Sequence, residues 1–320
     1  MRQPVPLSAP LPPPARAAAA VPAPVPPRWL AGSFLGMRDD ALLAPLRDAP
    51  LRRVRFNRGG SSISLRLELE GGARAAFKPD QTNYQTIPRK EIAAFRLDRL
   101  LGIGAVPPAV PRSFTRAELL AKLESRELAP RLGAEVRVNK DGTVDGEVSF
   151  WIPEIVDAKV GDYPVDSVDG MVLWKRWLRV GAPVPPDAEA LVPQLSTLVA
   201  FDFLINNTDR WSGSNAKASP DGRMLFFMDN TLSFGNDGRG HRKCQLYLER
   251  VQKFSRGFYR SLKQLSDDDV REAMTRDTGP YRKLLTDREI EALLARRDRL
   301  VAYIDELVDE HGEAAVLVFE

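Results

Sequence analysis

Four features of this chain carry side chains suited to phosphate chemistry. They are the small-residue turn Gly59-Gly60-Ser61-Ser62, Lys78 at the end of a strand-like segment, Glu91 thirteen residues later, and two aspartates, Asp209 and Asp229, each opening a polar loop after an apolar element. A turn of small residues lets backbone N–H groups approach phosphate oxygens. A lysine offers a compact positive charge to the same oxygens. A carboxylate can fix that lysine. One aspartate can orient and deprotonate an acceptor hydroxyl, and another at a strand end can hold the divalent metal that bridges the phosphates. Together these groups point to phosphoryl transfer from a nucleotide, a reaction that rests on positioning and electrostatics.

Each feature also has a plain structural explanation. Glycine-rich turns are common, strand-edge lysines are solvated, and an acid in the first turn of a helix is favoured by the helix dipole. Asp209 and Asp229 could each cap a turn. Two such aspartates, twenty residues apart with a hairpin between them, are harder to explain as unrelated turns.

The elements that must position these groups follow from periodicity. Val54–Phe56 and Ile63–Glu70 read as strands, the second through strict apolar–polar alternation. Gly71-Gly72 is a hairpin turn signal, leading into Ala73–Lys78, which Pro79 stops. Pro88 opens a helix over Arg89–Leu101, ended by Gly102. Gly104–Val110 reads as a strand, 115–132 as a helical insertion, and Glu147–Ile155 as a strand running to a connector. Beyond 168 the pattern turns helical, with a long apolar helix from Pro193 to Ile205, a strand Met224–Met228, and charged amphipathic helices over 245–310. Asp202 reads as structural, pairing with Arg210 or with the loop backbone. Trp151, Trp174 and Trp177 read as core, and the Asp267-Asp268-Asp269 run as a solvated helix start. Strands first and helices second predict an α+β fold with two lobes.

Composition narrows the function classes. The chain has 320 residues, 43% of them hydrophobic, enough for a sizeable core. No apolar run approaches the ~18 residues that a membrane-crossing helix needs, so no membrane span is expected. The net charge of +3 is accounted for by Arg2, Arg16 and Arg28 alone. The rest balances, so no nucleic-acid partner is expected. One cysteine, Cys244, excludes an intramolecular disulfide, and two histidines leave little material for a histidine zinc site or a Ser-His-Asp triad. Residues 1–28 hold ten prolines and seven alanines, a composition that favours extended, solvated backbone. Prolines interrupt every apolar stretch there, so an export signal is not expected and a cytoplasmic location is.

The segments Asp202-Phe203-Leu204-Ile205-Asn206-Asn207-Thr208-Asp209-Arg210 and Met228-Asp229-Asn230-Thr231-Leu232-Ser233-Phe234-Gly235 resemble the catalytic and metal motifs of the secretory-pathway atypical kinases (Golgi casein kinase and Four-jointed). Glu91–Gly102, running on to Val106-Pro107-Pro108, is similar to that family's ion-pair helix and following strand, and Ala76-Phe77-Lys78-Pro79 resembles its lysine strand. The match spans roughly 55–235, in the family's order. The resemblance implies a two-lobed protein-kinase-like α+β fold, with a β-rich N-lobe over 31–155 and a helical C-lobe over 156–320, while the proline- and alanine-rich composition marks 1–30 as a disordered tail. It implies ATP with Mg²⁺ or Mn²⁺ as cofactors, and a protein Ser/Thr or sugar hydroxyl as acceptor. It assigns Lys78 to the phosphates, Glu91 to pairing with Lys78, Asp209 to the catalytic base, Asp229 to the metal and the segment 148–154 to the adenine hinge. Asn215 is a second candidate metal group, six residues after Asp209 rather than the five of ordinary protein kinases. Trp211 stands where the family usually has histidine. Without an export signal or the family's disulfide cysteines, the chain reads as a bacterial-type cytoplasmic relative. A pseudokinase acting as a nucleotide-dependent binding module, nucleotidyl transfer, a HipA-type kinase and a phosphoinositide-type kinase are the alternatives.

Overall fold

The computed structural model describes residue 29 and residues 32–57, 62–212 and 215–320. Apart from Trp29, the proline-rich segment expected as a tail lies outside the described residues. Trp29 is buried, with the Arg96 guanidinium 4.0 Å from its ring centre.

The β-rich part is a five-stranded antiparallel sheet in the spatial order Leu51–Phe56, Leu65–Leu69, Arg74–Pro79, Thr143–Phe150, Ala109–Thr115. The hairpin between the second and third strands turns at Gly71 and Gly72, whose φ values of 80° and 88° are open to glycine without a Cβ penalty. The strand Arg74–Pro79 alternates as expected: Ala75 and Phe77 enter the core, and Lys78 faces the other way. The helix Arg89–Leu100 packs on this sheet.

Several strand boundaries differ from the sequence expectation: the first strand starts at Leu51 rather than Val54, the second covers only Leu65–Leu69, and Met224–Met228 is strand only over Leu225–Phe226. Residues 104–106 are not strand, because the buried Asp98 carboxylate accepts the N–H groups of Gly104, Ala105 and Val106 at 3.0, 3.0 and 3.1 Å. Pro107 and Pro108 then have no N–H to offer, so the ladder begins only at Ala109. The strand placed at 147–155 lies at Thr143–Phe150. It leaves the sheet before Pro153 and reaches a small second sheet made of Val156–Asp157, Lys217–Ala218 and Leu225–Phe226.

The helical part is built round Val192–Ile205, which is apolar on every face and buried. It ends at Asn206, whose φ of 57° is the left-handed cap that asparagine tolerates. Val168–Trp177, Arg242–Leu248 and Asp287–His311 pack on it, while Arg256–Gln264 packs on Asp287–His311 and Asp267–Thr275 on Arg89–Leu100 and Asp287–His311. Trp174 and Trp177 are core, as expected, whereas Trp151 is half-buried with Arg66 4.8 Å over its ring. The Asp267 run starts a helix behind a Ser266 capping box.

The helix Asp287–His311 opens on a Thr286–Glu289 capping box, the Glu289 N–H donating to Thr286 Oγ1 at 3.2 Å and the Thr286 N–H to Glu289 Oε2 at 2.7 Å. Thr286→Ala is expected to lower the unfolding free energy by ~1 kcal/mol, read from urea denaturation midpoints.

Candidate active site

The sheet and the helical part meet at a cleft where residues distant in sequence converge. Lys78 Nζ lies 2.8 Å from Asp229 Oδ1, a pair separated by 151 positions. The lysine side chain keeps only 17% of its surface accessible and the aspartate 46%, so the lysine is largely covered while Asp229 is turned outward. Burial pulls the Lys78 ammonium down, but Asp229, Glu91 and Glu147 outweigh it and hold it above its ordinary value. The Lys78 charge in turn holds the Asp229 carboxyl below the usual carboxylate range.

Glu91 was expected to pair with Lys78. Its carboxylate instead accepts the backbone N–H of Asp229 at 2.9 Å and that of Asn230. Asp229 has a φ of 58°, and this left-handed residue turns two successive amides toward one anion, a small backbone nest. Glu91 therefore acts on Lys78 only through its field. Its helix is bolted in place by Arg89 on Glu289 at 3.0 and 3.1 Å, by Lys90 on the Ser233 carbonyl, and by Arg96 on the carbonyls of Ala273 and Asp277 at 2.6 and 2.7 Å.

Asp209 is half-buried on the loop after the central helix. Its Oδ1 accepts from Ser212 Oγ at 2.7 Å and its Oδ2 from Asn215 Nδ2 at 3.1 Å. Asn215 thus aims its amide N–H at Asp209, and its contacts orient that carboxylate. The loop is tied to the Asp229 turn by Asn207, whose Nδ2 donates to the Asp229 carbonyl and to Asn230 Oδ1, both at 3.3 Å. The fully buried Arg210 completes the tie. It bonds Asp202 at 3.3 Å, Asn230 Oδ1 at 2.7 Å, the Asn215 carbonyl at 3.2 Å and the Met228 carbonyl. Burial pushes Asp202 up to about 6 against the pull of Arg210. Trp211 stacks on Tyr247 and Trp174, with ring centres 5.0 and 5.2 Å away.

Gly59, Gly60 and Ser61 lie outside the described residues. Ser62 is half-buried where the hairpin closes, beside Ile63, whose N–H and carbonyl are held by the Gln81 side chain at 2.8 and 3.1 Å. Cys244 is buried and donates to the Asn207 carbonyl at 3.3 Å, and burial pushes its thiol up to about 12, which leaves it unreactive.

One residue of the cleft had no signal in the sequence. Glu147 pairs with Lys78 across the strands. It has no accessible surface, and among the described residues neither carboxyl oxygen has a hydrogen-bond partner of normal geometry. Burial, and then the Glu91 charge, push it up to about 8. Burial raises Glu91 as well, with Lys78 pulling it back, so the two acids titrate as a pair, and the two amides on Glu91 favour keeping the charge there and the proton on Glu147.

Among the described residues no cluster of three acid, histidine or cysteine side chains forms a protein-only metal cage. What the cleft offers is one outward carboxylate, Asp229, beside a lysine. That donor set fits a divalent cation that keeps several waters and takes its remaining oxygens from phosphates.

No family model matches the chain. Over 302 residues it is 24% identical to the glycosaminoglycan xylosylkinase of Homo sapiens, covering 81% of this chain and 72% of that protein. It is 21% identical over 277 residues to the extracellular serine/threonine protein kinase FAM20C of Homo sapiens, covering 72% of this chain and 47% of that one. The Golgi casein kinase structure with Mn/ADP bound superposes with a TM-score of 0.66 at 16% identity, over 88% of this chain and 78% of that one. Two of these relatives, by name a Golgi and an extracellular kinase, overturn the cytoplasmic expectation. No helix among the described residues is long and apolar enough to cross a membrane. The chain has the two-lobed α+β fold of the secretory-pathway kinases and is related to them in sequence.

Proposed function

We propose that this chain is an ATP-dependent kinase that transfers the γ-phosphate to a hydroxyl of a sugar or of a protein Ser/Thr, using Mg²⁺ or Mn²⁺. The observation that carries the reading is the Lys78–Asp229 pair closing the cleft, with Asp209 tied to the same turn through Asn207 and Arg210. In this reading the N-lobe covers 31–155 and the C-lobe 156–320, meeting at the connector after Phe150.

Asp209, fixed by Ser212 and Asn215, accepts the proton of the acceptor hydroxyl as its oxygen attacks the γ-phosphorus and ADP departs. Lys78 exchanges its bond to Asp229 for phosphate oxygens. Asp229 holds the divalent metal, which when bound neutralises charge on the phosphates. The relatives' names support both acceptor classes, one being a xylosylkinase and another a serine/threonine kinase.

Incubation with γ-labelled ATP, Mg²⁺ or Mn²⁺, and panels of xylose-containing sugars, proteins and lipids tests the reading. Label is expected on a sugar or protein hydroxyl. Label from α- rather than γ-labelled ATP would indicate nucleotidyl transfer, and nucleotide binding with no transfer a pseudokinase. Asp209→Asn is expected to lower kcat by ~10²–10⁴-fold, the range for losing a positioned base.

A further inference from the structure

Resting on that reading, we propose that Glu147 is a positioning residue for Lys78, a buried carboxylic acid whose proton leaves the lysine free for the nucleotide's phosphates. Glu147 sits on the fourth strand of the sheet directly opposite Lys78. It cannot swing out. Its strand is paired on both sides, with Pro111 as its other neighbour. The adjoining Gly146 lies so close to the lysine strand that a Cβ there would fall 2.4 Å from the Phe77 ring and 2.5 Å from the Lys78 carbonyl. Among the described residues the Ser149 hydroxyl is the one donor acting on it, and it makes no hydrogen bond of normal geometry; a buried carboxylate so poorly served is strongly disfavoured, so the acid is retained neutral.

The charged and titratable groups that act on it are Lys78 on the neighbouring strand, Glu91 on the packed helix and Asp229 on the turn, and Tyr281 senses its charge from the helical side. Lys78 and Tyr281 are both held above their ordinary values and Asp229 below its own, so none of these changes charge between pH 7 and 9. Glu91 is itself raised by burial and couples to Glu147, while its two amides favour its charged form. Loss of the Glu147 proton therefore adds one negative charge beside Lys78. It draws the ammonium toward the sheet and repels phosphate.

Calorimetric titration of the full chain with Mg²⁺ and ADP tests this. One proton lost at about 8 gives a Kd about tenfold weaker at pH 9 than at pH 7. Glu147→Gln, a permanently neutral isostere, is expected to flatten that slope, and Glu147→Met to do the same if the glutamine variant folds poorly. A slope shared by the variants, or absent from the native chain, overturns the proposal. A chain that binds no nucleotide at any pH overturns the kinase reading itself.

Melting without nucleotide gives an independent readout. An acid raised by folding costs stability as pH climbs from its unfolded value, 4.5, to about 8. The native chain should therefore lose melting temperature relative to Glu147→Gln across that window and no further above it. Parallel melting curves would overturn the neutral-acid assignment whatever the nucleotide does.

Discussion

Asp229→Asn is expected to remove phosphoryl transfer, by ~10⁴-fold or more, while the chain still folds. The carboxylate is the outward-facing acid of the cleft, and its side chain is 46% accessible, so its loss leaves no buried charge stranded on its own side. The substitution withdraws the group proposed to hold the divalent cation. Losing several kcal/mol of charge stabilisation at 1.36 kcal/mol per factor of ten gives the stated size. Lys78, freed of its partner, should still hold the nucleotide, so kcat should fall far more than nucleotide affinity. Circular dichroism and a nucleotide-induced shift in melting, measured with the transfer assay, separate this from simple unfolding. Transfer at the native rate by a folded Asp229→Asn chain would reject the site.

Arg210→Met is expected to cost ~3–5 kcal/mol of stability, because it strands the buried Asp202 carboxylate in a dry interior. It also unties the Asp209 loop from the carbonyls of Met228 and Asn215 and from Asn230. The sign of its pH dependence follows from Asp202. Burial already raises that group to about 6, and without the guanidinium it rises further. The deficit relative to the native chain should therefore be small near pH 4 and grow as pH climbs past 6, as followed by urea unfolding. Adding Asp202→Leu should restore most of the stability, since replacing both members of a buried pair is often neutral. It should not restore transfer, because the loop remains untied.

The sequence made the sheet, the central helix and the separation of the two aspartates legible, because alternation and all-round apolarity are local signals. Lys78 and Asp229 stood out for the same reason: each ends an apolar run. Their 2.8 Å meeting depends on contacts 151 positions apart, which no local pattern encodes. Glu91 was found, but its partner was misread, since nothing in the residue types shows that Asp229 adopts a left-handed φ and presents two amides. Glu147 was hidden by its own periodicity. It falls in step with Thr143, Asp145 and Ser149 on what reads as a solvated face, and only the packing of the rest of the molecule buries it. Asp98 carries no distinct signal in the sequence, yet it decides where the next strand starts. The location expectation failed for another reason: a missing signal says little against relatives named for the Golgi and the cell exterior.

The Glu91 nest gives the cleft a mechanical property. A single carboxylate is shared between the helix Arg89–Leu100 and the backbone at 229–230, so the helix cannot slide or tilt outward without stripping two amides of their acceptor and relaxing the aspartate's unusual backbone. Helix placement and metal-side geometry are thus one degree of freedom, and any ligand that grips either end reports on both.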